Sequence, residues 1–104
     1  MWFAASLLFK SRHPDDPKTE FLWEESINLV HASNEDEART EAERFAKNAE
    51  HEYVAAAGNR VHWTFERIES IQCILAESLE NGTEVFARFL HTSQVECLST
   101  PFKD

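Results

Sequence analysis

Apolar side chains occupy both alternating faces of residues 2 to 10. Trp2, Ala4 and Leu8 share one parity, and Phe3, Ala5, Leu7 and Phe9 share the other. A strand that is apolar on both sides is covered on both sides, so the pattern predicts a central strand. A helix supplies one cover, and a second protomer is a candidate for the other. Residues 11 to 20 are polar. Pro14, Pro17 and Asp15-Asp16 mark a loop joining two antiparallel strands. Alternation returns over residues 21 to 32, with Phe21, Trp23, Ile27 and Leu29 on one parity. Glu25 interrupts that apolar set. A carboxylate facing a core needs a partner, and a bulge that turns it outward is the alternative.

The helical period begins after Ser33, the expected N-cap, with Asp36 in the capping-box position. Glu35, Asp36 and Glu37 suit the positive end of a helix. Ala38, Ala42, Phe45, Ala46 and Ala49 then recur at helical spacing. The pattern predicts a helix ending near Glu50 or His51, close to the sheet through its alanines and anchored by Phe45. Residues 52 to 57 suggest a short strand, and Gly58-Asn59 a turn. Residues 60 to 75 form a long β-rich run whose period breaks between Glu66 and Glu69, where a bulge or sharp bend is expected. Asn81-Gly82 predicts a two-residue type I′ hairpin pairing Ala76 with Ala87 and Ile74 with Phe89. A helical turn over 75 to 80, capped by Gly82, is the competing reading. Thr83 to His91 would then be the last strand, and residues 92 to 104 a C-terminal tail.

The expected fold class is α+β: an antiparallel sheet, in the order β-β-α-β-β-β, with one amphipathic helix packed on one face. At 104 residues the chain is expected to be a single domain. The composition is globular, with 42% hydrophobic residues, eight Phe and three Trp. Trp2, Trp23 and Trp63 together with the phenylalanines are more aromatic surface than one helix covers. That surplus points to an exposed apolar sheet face and homodimerisation.

Acidic residues outnumber basic ones 19 to 10, for a net charge of −9. This disfavours direct binding to nucleic acid or to an anionic membrane. It permits a basic protein partner and keeps the chain soluble. The N-terminal apolar run lacks the basic flank of a signal peptide. No stretch has the length of a membrane span, and a cytoplasmic location is expected. Cys73 and Cys97 have no CxxC or metal spacing. Cys73, inside an apolar run, reads as an inert core thiol. The five histidines show no ligand spacing, and with two glycines there is no phosphate-cradling loop. No catalytic residue, metal site or cofactor is expected.

Several segments together resemble a known family. They are Trp2-Phe3-Ala4-Ala5, Leu22-Trp23-Glu24-Glu25, the helix after Ser33, His51-Glu52-Tyr53, and Gly82 to Phe89. The family is the bacterial domain of unknown function numbered 4288. The resemblance covers nearly the whole chain, although serine often stands in the family where Ala4 and Ala87 stand here. It implies a bacterial cytoplasmic protein and brings no activity and no catalytic residues.

The charged residues within expected strands form the candidate ligand-binding set: Glu24, Glu25, Glu84 and Arg88. Glu84 and Arg88 share parity, and Arg88 offers a fork of donors to a carboxylate. A structural ion pair or a solvated face is the plain alternative. Two functions follow as expectations. The first is a non-enzymatic protein-binding module, an immunity- or antitoxin-like protein being one version. The alternative is a small polar ligand-binding or catalytic domain built on the Glu/Arg cluster.

Overall fold

The computed structural model describes residues 1–99. Strands β1 (Trp2–Arg12) and β2 (Trp23–His31) come first, followed by helix α1 (Glu35–Asn48). Strands β3 (His51–Val54) and β4 (Arg60–Ile74) follow, and helix α2 (Thr92–Ser99) closes the described chain. All pairings are antiparallel, and the sheet order is β2-β1-β4-β3. The α+β class, the antiparallel sheet and the helix packed on it are as expected. β1 is central, in keeping with its two apolar faces.

Phe3, Ala5, Leu7 and Phe9 of β1 face α1 and are buried. They meet Ala38, Ala42 and Ala46, which lie four residues apart on one stripe of the helix and are at most 1% exposed. Trp63, Phe65, Ile68 and Ile71 of β4 complete this layer. Phe45 is not the anchor: it is 51% exposed. It sits beside the alanine stripe, and methyl-sized side chains bring the helix too close for a ring to enter between. The N-cap is Asn34 rather than Ser33. Asn34 is extended, and its side chain accepts from the Glu37 N–H at 2.8 Å. Such a cap contributes about 1 kcal/mol.

The break in the period of β4 is a double bulge. Ser6 opposes Ser70 but Leu7 opposes Ile68, and Leu8 opposes Arg67 but Phe9 opposes Phe65. Glu69 and Glu66 are therefore the extra residues, each turned out of the ladder. Glu66 accepts from Arg12 at 2.6 Å. Glu25 needs no bulge, because β2 runs in uninterrupted register along β1.

The expected final strand does not pair. Asn81-Gly82 does turn the chain, with the Thr83 N–H donating to Glu80 O at 3.1 Å. Only Gly82 has positive φ, at 90°, so the turn is not type I′. With its positive φ at the third residue the turn has type II character, which splays its flanks, and residues 75 to 91 run as an extended arm outside the sheet. Neither the hairpin nor the competing helical turn forms. Where a tail was expected, residues 92 to 99 form α2; the rest of that tail, 100 to 104, lies outside the described residues.

Asp15, in the β1–β2 loop, clamps the start of β4. It accepts from the Arg60 backbone N–H at 2.8 Å and from its guanidinium at 2.8 Å. These bonds to Arg60 hold the Asp15 carboxyl below its ordinary value of 3.8. A depressed folded-state pKa stabilises the fold above the unfolded value, and that contribution is lost as pH falls through the folded one. The stability gap between wild type and Asp15→Asn is therefore expected to hold constant above pH 3.8 and to shrink below it. Urea titrations at several acidic pH values check this, and a gap that widens on acidification would contradict the clamp.

Candidate functional site

The sheet has a second face, opposite α1, and no described helix covers it. Register places Trp2, Ala4, Ser6, Leu8 and Lys10 of β1 there. Opposite them on β2 stand His31, Leu29, Ile27, Glu25 and Trp23 in turn. β4 adds Ile74, Gln72 and Ser70. Trp2, Trp23, Ile27 and Leu29 are each about half exposed, at 48, 51, 45 and 50%. The face is apolar and wet at its margins. Lys10 lies over the Phe21 ring, 4.1 Å from its centroid, and covers one end of the patch.

The centre of the face differs. Ala4 and Ser6 are fully buried, although no secondary-structure element lies over them. The arm covers them. The Gln72 side-chain amide donates to Ala87 O at 2.6 Å and accepts from the Ala87 N–H at 3.1 Å. One side chain thus satisfies both polar groups of a backbone residue, as a neighbouring strand would. Arg88 then reaches over β1 to Glu25 on β2, at 3.7 Å. Glu25 also accepts from the Ser6 hydroxyl at 2.7 Å. Ser70, opposite Ser6, has a buried hydroxyl with no hydrogen-bond partner among the described residues.

The four candidate residues therefore separate. Glu25 and Arg88 come together. Glu24 lies on the other face, opposite Phe9, because neighbours in a strand point oppositely. Glu84 lines a shallow concavity of about 290 Å³ beside Gln72 and Phe86. Ser6 and Gln72 were not among the candidates. Their signal was present, since each is a lone polar residue inside an apolar run. Its meaning depended on knowing what lay above them.

A smaller apolar cleft of about 160 Å³ opens between Trp2, Leu29 and Ile74 on the sheet and Leu79 on the arm. Cys73 is exposed rather than a core thiol, because β3 pairs only with residues 60 to 63 and leaves that end of β4 an open edge; Cys97 is exposed as well. Among the described residues there is no group of three His, Cys, Asp or Glu side chains placed to hold a metal. No described helix is long and apolar enough to cross a membrane.

Comparison with curated proteins and with solved structures returns no match. A family profile matches residues 2–87, from the start of β1 to the arm residue that Gln72 grips. The chain belongs to the family described as Domain of unknown function (DUF4288).

Proposed function

We propose that this chain is a protein-interaction module that docks through the open face of its sheet. The observation that carries the reading is the group of half-exposed Trp2, Trp23, Ile27 and Leu29 on one face. Large apolar side chains gathered on one sheet face are a property of association surfaces. In this reading Glu25 and Arg88 seat the arm and are not free to bind a small polar ligand. The net charge of −9 suits a basic partner, as an immunity- or antitoxin-like protein would have, and rim charges speed such encounters. A second copy of the chain is the other candidate partner.

Leu29→Ser tests the reading. Leu29 is half exposed, so the substitution removes apolar docking surface with little loss of core. Wild type is expected to capture a partner, either another protein or an untagged copy of itself. Leu29→Ser, folded by circular dichroism, is expected to lose it. Equal capture by both, or capture by neither, would end the proposal.

A further inference from the structure

The two edges of the sheet are built differently. The β4 edge is interrupted along its length. β3 pairs with it from Arg60 to Trp63. The Glu50 carboxylate then accepts from the Phe65 N–H at 2.7 Å, and the bulges at Glu66 and Glu69 bend the strand, so that only residues 70 to 74 run clear. Bulges and charges of this kind keep strands from joining edge to edge. The outer edge of β2 is neither bent nor covered. Its nine residues run in uninterrupted register, with no Pro and no Lys among them. The ladder fixes which of its backbone groups face outward. The Ala32 N–H donates to Met1 O, the Met1 amino group donates to Ala32 O, and the Ser11 N–H donates to Leu22 O, each at 2.9 Å. An antiparallel strand bonds to one neighbour through alternate residues, so the even-numbered residues of β2 face β1. The N–H and C=O groups of Trp23, Glu25, Ile27, Leu29 and His31 therefore point away from it. All five residues are exposed, and none of these backbone groups has a hydrogen-bond partner among the described residues.

We infer that β2 pairs with β2 of a second copy, antiparallel about a two-fold axis through Ile27, so that two four-stranded sheets become one. This rests on the open-face reading above and names the partner as a second copy, joined at the margin of that face. A two-fold interface presents the same patch from both sides, so the patch must complement itself. β2 does. About Ile27, Trp23 opposes His31, Glu24 opposes Val30, Glu25 opposes Leu29, Ser26 opposes Asn28 and Ile27 opposes itself. Outward-pointing residues meet only one another, and every free N–H and C=O gains a mate. The charge of the strand selects the same register. Its two carboxylates lie toward the Trp23 end and none lies toward the His31 end. Antiparallel pairing about Ile27 sets each acidic end against an acid-free one, whereas pairing about Glu25 would oppose like charges. The open face also continues across the join. His31 already meets Trp2 edge-on at 4.8 Å between ring centroids, and Trp23 of the second copy takes its other side. Leu29 falls diagonal to Ile27 and Trp23 of that copy, within reach of large side chains.

Light scattering and cysteine pairing test this register. Light scattering over a concentration series is expected to give twice 12.0 kDa for wild type. The cysteine variants are made with the exposed Cys73 and Cys97 both replaced by Ser. Across the axis the two Ile27 Cα atoms lie about 5.5 Å apart, within the span of a disulfide. Ile27→Cys is therefore expected to give a linked dimer under mild oxidation. The two Leu29 positions lie about 14 Å apart along the strands. Leu29→Cys alone is expected to stay unlinked, yet to link when mixed with Glu25→Cys. A dimer in which Ile27→Cys fails to link, or Leu29→Cys links to itself as readily, would overturn edge pairing and leave docking through the open face intact. A monomer at every concentration would overturn edge pairing too, and capture of another protein, compared with Leu29→Ser, would then decide the open-face reading alone.

Discussion

Leu7→Ala is expected to lower the free energy of unfolding by about 2–5 kcal/mol. Leu7 is the largest fully buried side chain and sits on the central strand. It packs against Ala42 and Ala46 above and lies opposite Ile68 on β4. Two of these neighbours are alanines, which have no side-chain freedom with which to fill the space. α1 cannot drop further, because backbone already lies one methyl away. The cavity therefore persists, and its cost adds to the lost transfer energy. For a domain of this size each kcal/mol moves Tm by about 4–8 °C, so a fall of at least roughly 10 °C is expected. Thermal and urea denaturation check it. A loss under about 1 kcal/mol would mean that the α1 layer is not the core.

Ala42→Leu is expected to cost about 1–3 kcal/mol by the opposite route. Ala42 has no exposed surface and sits mid-stripe against β1. Leucine is nearly as good a helix former as alanine, so intrinsic propensity contributes little. The cost would come from lifting α1 off the sheet. Combining the two substitutions discriminates further. The added methyl groups at position 42 have somewhere to go once Leu7 is shortened, so the double variant is expected to lose less than the sum of the single losses. Urea midpoints of the three variants test this, and strict additivity would show that the two sites do not touch.

The two substitutions bear on the scaffold, while Leu29→Ser bears on the opposite face. The division follows the pleat. Leu7 and Ser6 are consecutive, yet one faces α1 and the other lies beneath the arm. A defect on one side should therefore leave the other readable, provided the domain stays folded.

Much of the architecture follows from local pattern. The two apolar parities of residues 2 to 10 require a strand covered on both sides. The alanine spacing from Ala38 requires a helix laid close to a sheet. The interrupted period between Glu66 and Glu69 predicts a bulge or a sharp bend, and the structure has two bulges there. These are short-range rules, set by side-chain direction and backbone sterics, and a linear sequence carries them in full. The anchor of the helix was less accessible. Phe45 lies within the apolar arc of α1, and only the helix's rotation on the sheet decided that Ala42 and Ala46 would face inward instead.

The arm is where local pattern failed, and the reason is tertiary. Asn81-Gly82 does make a turn, but a hairpin needs a turn whose twist matches its strands, and only Gly82 took positive φ. β1 already occupies one edge of β4 as far as Ile74, and the chain beyond it was left to find other partners. It found Gln72 and Glu25, residues separated by β1 in space and by 47 positions in sequence. No periodicity encodes that meeting. The sequence alone determined which faces would be apolar. The tertiary structure decided that one would be sealed by a helix, and that the other would stay half open beneath the arm.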